Sequence, residues 1–200
     1  MGLGKTEALR STSRFGVRQI AVVGMLSAIS IILGLSGYGF IPLPTAKATI
    51  MQIPVIIGAI LEGPAVGAMI GLLFGLFSIV QSLTTPNILS FAFINPLVSV
   101  LPRVLIGITA YYAYKWTWSK HEGVRIGTGA LVGSLTNTFG VLTMIYVLYA
   151  AQFAEVRGID LATTAKVIYG IALVNGVPEA IIATAITVPI VTAIKKRYKN

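Results

Sequence analysis

Residues 63–102, GPAVGAMIGLLFGLFSIVQSLTTPNILSFAFINPLVSVLP, run for 40 positions without a charged side chain. A helix crosses the hydrocarbon core of a bilayer with about 20 residues. The run is therefore long enough for two crossings, and Thr84-Thr85-Pro86-Asn87 lies near its middle. Clustered Thr, Pro and Asn favour a turn over a helix interior, so they divide the run into a hairpin of two membrane helices. In the first of these, Gly63, Gly67, Gly71 and Gly75 recur every four residues. Such a stripe lines one helix face with hydrogen atoms and predicts close packing inside the bundle.

Outward from this hairpin the pattern continues. Of 200 residues 56% are hydrophobic and 10% charged, against about 25% charged in an average soluble domain. So few charges do not cover a water-soluble fold of this size, and the fold class is an all-α integral membrane protein. Further apolar intervals span 19–46, 48–61, 104–114, 126–154 and 167–194, the last interrupted by Glu179. They predict a bundle of six transmembrane helices at 18–36, 47–62, 64–83, 95–115, 126–151 and 168–194, with loops near 37–46, 84–94 and 152–167. Residues 18–194 then form one membrane domain between an N-terminal segment, 1–17, and a basic tail, 195–200. Gly129 and Gly133 give the fifth helix a small-residue face for internal packing, and Gly24 with Ala28 gives the first helix another. On the first helix that face suits either internal packing or a second membrane protein.

A net charge of +9 raises nucleic acid as a partner, but the 15 basic residues sit in short clusters between apolar spans, which argues against it. Their distribution also tests the second span, which has only 14 uncharged residues with Pro54 among them and suits either a crossing or a re-entrant segment. With six crossings, Lys5, Arg10, Arg14, Arg18, Lys115, Lys120, Arg125, Lys195, Lys196, Arg197 and Lys199 share one side, eleven residues in all. Lys47, Arg157 and Lys166 occupy the other side, and Arg103 remains within the membrane. Without the second span the asymmetry vanishes. The positive-inside rule therefore favours six crossings with both termini in the cytoplasm. The opening MGLGKT carries parts of a phosphate-binding loop and of an N-myristoylation signal. The preceding strand and first Gly of a Walker loop are missing, and one acyl chain adds little to six spans. The apolar run after Arg18 outlasts a signal-peptide core, so it is expected to stay as the first helix.

Polar residues inside spans are costly, which makes them candidates for function. Arg103 lies about 12 Å from the outer end of the fourth helix at 1.5 Å per residue. Asn95, Ser99 and Arg103 share a face of that helix, as Asn175 and Glu179 do on the sixth. Glu179 lies about 16 Å below its outer end, and Asn137, between Thr136 and Thr138, falls near the middle of the fifth helix. Asn95, Arg103, Asn137, Asn175 and Glu179 are thus the candidate substrate-binding residues, converging on a cavity open to the outside. An intramembrane ion pair between Arg103 and Glu179 is the alternative that needs no ligand. Tyr38, Phe40, Phe91 and Phe93 in the outer loops could cover a small ligand or anchor the interface, whereas Trp116 and Trp118 read as inner belt anchors. Catalysis finds little support. His121 is the only His and Cys is absent, so metal ligation or a His-based triad would need partners the sequence does not offer; no metal or cofactor is expected, and no complete nucleotide-binding motif supplies energy.

The runs TIMQIPVIIGAILEGPAVGA (49–68), GLLFGLFS (71–78) and FAFINPLVSVLPRVLIG (91–107) resemble helices two to four of the substrate-binding S components of energy-coupling factor vitamin transporters. The resemblance extends over nearly the whole chain. It implies a prokaryotic plasma-membrane protein with a vitamin pocket near the outer face. It also implies a transmembrane coupling subunit and two cytoplasmic ATPase subunits as partners. The family's Ala-x-x-x-Ala coupling motif on helix one corresponds to Gly24-x-x-x-Ala28, a small-residue surface with Gly in place of Ala. Among family members the chain is most similar to pantothenate-specific ones. Arg103 gives an independent reason, because a guanidinium within the membrane favours a carboxylate ligand. Riboflavin, folate and hydroxymethylpyrimidine components, and a stand-alone secondary transporter, are the competing assignments.

Overall fold

The computed structural model describes residues 15–42, 47–86 and 88–197. The opening MGLGKT, the basic residues Lys5, Arg10, Arg14 and Lys199, and Asn87 of the turn cluster lie outside the described residues. The elements are α1 (Val17–Ser36), β1 (Phe40–Pro42), β2 (Lys47–Thr49), α2 (Ile53–Glu62), α3 (Pro64–Thr84), α4 (Ser90–Phe93), α5 (Pro96–Ser99), α6 (Leu101–Trp116), α7 (Glu122–Arg157) and α8 (Leu161–Arg197). Among the described residues, five helical stretches are long and apolar enough to cross a membrane: α1, α3, Pro96–Trp116, α7 and α8.

The expected second helix, 47–62, is only half a helix. Lys47–Thr49 is instead a strand, antiparallel to β1 with Phe40 opposite Thr49. Pro54 falls in the first turn of α2, where its missing N–H has no intrahelical partner to lose, and the helix accordingly begins at Ile53. Ten residues make about 15 Å of helix, half of a hydrocarbon core of about 30 Å. Residues 53–60 are all buried, as expected of a helix that is apolar all round. Around it pack Val66, Ile70 and Phe74 of α3, Ile106 of α6 and Ile126 of α7.

Glycines set how closely the helices cross. A Cβ added to Gly67 would lie 2.9 Å from the Cα of Gly107, one on Gly71 would lie 2.1 Å from the carbonyl oxygen of Arg103, and one on Gly75 would lie 2.7 Å from the Cα of Val100. Thus α3 and α6 meet backbone to backbone in antiparallel fashion. Gly129 and Gly133 of α7 press on Ala110 of α6 in the same way. Gly63 departs from the expected stripe: it turns the chain between α2 and α3 at φ 101°, a left-handed conformation that glycine adopts without strain. Gly24 faces open space, with nothing within 4 Å of an added Cβ, and both Gly24 and Ala28 are exposed.

Three other boundaries move. The expected fourth helix, 95–115, is interrupted at Val100 into α5 and α6, with Pro96 and Pro102 each in a first turn. The loop expected at 152–167 contracts to Gly158–Asp160, because α7 continues to Arg157 and α8 starts at Leu161. Gly158, at φ 62°, closes α7 in the left-handed conformation. Finally, α8 runs on to Arg197, so residues 195–197 of the expected tail are helical.

Ionic contacts gather at one end of the bundle. Arg18, at the start of α1, pairs with Glu62, at the end of α2, at 2.6 Å. Tyr114 Oη donates to Glu122 Oε1 at 2.7 Å, and Lys195 Nζ donates to the same oxygen at 2.6 Å, joining the end of α6, the start of α7 and the end of α8.

Candidate functional site

A cavity of about 440 Å³ lies in the other half of the bundle, among the β1–β2 hairpin, α3, α4, α6, α7 and α8. Small-molecule sites span roughly 300–1,000 Å³. It sits where two buried clusters meet, with Met51 and Phe74 from the one built on α2, and Val141 and Leu142 from the one joining α7 and α8. Arg103, Asn137, Asn175 and Glu179 all line it. The structure thus brings together four of the five residues singled out from the sequence.

Arg103 projects from the first turn of α6 and is 7% exposed. Its backbone is held by the glycine contact at Gly71. The guanidinium lies between two aromatic rings, 5.6 Å from the centroid of Phe74 and 5.4 Å from that of Phe93. Nη1 donates to the Val98 carbonyl at 2.8 Å, while the buried Nε has no partner. Ion pairs among the described residues join Arg18 to Glu62, Arg125 to Glu122 and Lys195 to Glu122, and none involves Arg103. The direct Arg103–Glu179 pair that the sequence allowed is therefore absent. Glu179 spends both oxygens elsewhere: Oε1 accepts the Thr49 backbone N–H at 2.9 Å and Oε2 accepts the Thr138 hydroxyl at 2.6 Å.

Asn137 is 7% exposed, and its Oδ1 is buried without a donor. A buried acceptor left unpaired costs about 1–3 kcal/mol, so a ligand donor at that position would remove a standing penalty. Beneath it, Gln52 donates through Nε2 to Ser134 Oγ at 3.3 Å, extending the polar side of the site towards α2.

Asn95 is placed elsewhere. Its Oδ1 accepts the Leu97 N–H at 2.9 Å, capping α5, and its Nδ2 donates to Tyr149 Oη at 3.0 Å. It fixes the α4–α5 segment to α7 at the one residue where α7 leaves helical geometry, and it does not line the cavity. Of the four outer aromatics, Phe40 and Phe93 line the cavity, Phe91 packs edge-on against Tyr149 at 5.6 Å, and Tyr38 is exposed. Sequence reasoning passed over Ser78, Gln81, Ser82 and Thr85, which line the cavity from the end of α3. Their spacing is the signal that was available, since polar residues three and four apart share one helix face.

Residues 18–191 match the family described as ECF transporter, substrate-specific component. The chain is similar to the pantothenic acid transporter PanT of Lactococcus lactis subsp. cremoris, at 31% identity over 198 residues that cover 90% of this chain and 95% of that protein. It is also similar to the pantothenate transporter PanT of Leuconostoc mesenteroides subsp. mesenteroides, at 36% identity over 152 residues, 72% of this chain and 74% of the other.

Proposed function

The chain belongs to the substrate-specific component family of ECF transporters, and from that membership we propose that it is the high-affinity pantothenate-binding subunit of an ATP-driven importer. It is a multi-pass cell-membrane transport protein. The observation that carries the substrate assignment is the unpaired, aromatic-flanked Arg103 in the cavity wall. A guanidinium presents paired N–H donors that match the two oxygens of a carboxylate. Pantothenate offers a carboxylate at one end, and an amide and hydroxyls along an aliphatic body. In this proposal Arg103 takes the carboxylate and the amides of Asn137 and Asn175 take the polar groups. Met51, Val141 and Leu142 cover the aliphatic part.

The chain in this proposal makes six crossings with both termini in the cytoplasm. Residues 18–194 form the membrane domain, 1–17 and 195–200 its cytoplasmic flanks. The second crossing is completed by the hairpin and α2 together. The Arg18–Glu62 contact supports it, because residues 40–62 must run from the end of α1 back to its start. Energy is supplied by a transmembrane coupling subunit and two cytoplasmic ATPase subunits. Gly24 and Ala28, exposed on α1, are the proposed contact with the coupling subunit.

Calorimetric titration of the purified chain with pantothenate, riboflavin, folate, thiamine and hydroxymethylpyrimidine tests the substrate, and tight binding of pantothenate alone is expected. Tight binding of an uncharged vitamin, with pantothenate silent, would refute the assignment. Coupling is tested by Gly24→Leu, whose side chain would block a partner helix. The variant should bind pantothenate like the parent and fail to accumulate it in proteoliposomes holding the coupling subunit, the ATPases and ATP. Gradient-driven uptake by the chain alone would instead make it a secondary transporter.

A further inference from the structure

Glu179 is the acidic residue of the cavity wall, yet its geometry is that of a brace. Its two oxygens accept from two different elements, Oε1 from the Thr49 N–H of β2 and Oε2 from the Thr138 hydroxyl of α7, while its own backbone belongs to α8. The Thr49 N–H lies outside the hairpin's own bonding. Across the hairpin, Ile50 N donates to Gly39 O at 2.9 Å, so the Thr49 donor points away from β1 and needs a partner. The side chain of Glu179 is buried and shares the cavity with Arg103 without forming an ion pair with it. The hairpin residues Phe40 and Thr49, with Met51 just beyond, form one wall of the cavity.

We propose that Glu179 is a positioning residue: it holds the β1–β2 hairpin against α7 and α8 over the cavity, so that the carboxylate sets how fast a bound anion leaves and does not itself contact it. Two consequences belong together. By accepting from uncharged donors, Glu179 leaves the guanidinium N–H donors of Arg103 available to a ligand. By holding Thr49, it holds the wall that the ligand must pass. The release part rests on the function proposed above, whereas the bracing part stands on the geometry alone. Glutamine at 179 keeps a carbonyl oxygen for the Thr49 N–H and an amide for the Thr138 oxygen, so it preserves the brace without the charge. Alanine removes it.

Hydrogen–deuterium exchange of the ligand-free chain in nanodiscs reads the brace directly. In Glu179→Ala the Thr49 amide should exchange at least about tenfold faster than in the parent, the effect of losing one hydrogen bond to a charged acceptor. In Glu179→Gln it should stay near the parent's rate. Ile70 and Ile106, buried where α3 crosses α6, report opening of the whole bundle. Acceleration at Thr49 no greater than at those two positions, or none at all, overturns the proposal. With pantothenate bound, the dissociation rate should rise about tenfold in Glu179→Ala and stay near the parent's in Glu179→Gln. Lost affinity in Glu179→Gln with Thr49 still protected would make Glu179 a ligand contact and also overturn it. Pantothenate silent towards the parent chain would remove the substrate assignment only, because the exchange measurement needs no ligand.

Discussion

Arg103 shows how much a single residue can specify when lipid is the solvent. A buried cation is costly unless something shares its charge, and here the protein provides two ring faces and one carbonyl, leaving Nε unpaired. The remaining deficit is what a carboxylate would fill. Arg103→Gln, which keeps hydrogen-bonding capacity and loses the charge, should weaken pantothenate binding by about 1.5–3 kcal/mol, roughly one to two decades in Kd. Arg103→Lys keeps a charge without the planar fork and should fall between. Isothermal titration of the folded variants reads both, and an unchanged Kd in Arg103→Gln would make the residue structural. At this scale the sequence identified Arg103, Asn137, Asn175 and Glu179 by the cost of polarity inside a span, a signal that needs no neighbour. It could not separate Asn95 from them. A helix cap and a ligand contact call for the same residue type, and only the start of α5 at Pro96, where the Asn95 side chain accepts the Leu97 N–H, shows which role Asn95 plays.

Among the elements, the glycine stripes were legible because their consequence is local: wherever small residues recur at helical spacing, backbones can approach. Which helix approaches is a tertiary fact, and α3 meets α6 along Gly67, Gly71 and Gly75 while Gly24 of α1 meets nothing. This contrast predicts opposite responses to one methyl group. Gly71→Ala would put its Cβ 2.1 Å from the Arg103 carbonyl oxygen, so it should destabilise the bundle by about 1–3 kcal/mol through overpacking. It should also disturb the first turn of α6 that carries Arg103. Gly24→Ala has open space and a helix-favouring side chain, and should leave stability equal or slightly raised. Thermal unfolding in detergent compares the two, and a Gly71→Ala chain as stable as the parent would contradict the close crossing. The strands at 40–42 and 47–49 were not legible. Three residues are too short for a period to be read, and Lys47-Ala48-Thr49 pairs only because β1 lies opposite.

At the scale of the whole molecule, polarity is divided between two ends. The Arg18–Glu62 pair and the Tyr114, Glu122 and Lys195 cluster tie the helices at one end, and the cavity with its hairpin wall occupies the other half. A bundle fixed at one end and hollow at the other fits a subunit that takes ligand from one face and docks partners through its outer helix surface. Everything in that arrangement depends on the segment 40–62 crossing the membrane, although α2 alone, at 10 residues, is too short. The absence of Cys makes the test simple, since single cysteines can be introduced without first removing any. Tyr38, Lys120 and Glu155 are exposed positions after α1, after α6 and near the end of α7. With the second crossing present, a membrane-impermeant maleimide applied to intact cells should label Tyr38→Cys and Glu155→Cys, and should reach Lys120→Cys only after permeabilisation. Were 40–62 to return to the side it came from, Tyr38 and Glu155 would fall on opposite faces, and labelling of one without the other would overturn both the six-crossing topology and the cytoplasmic placement of both termini.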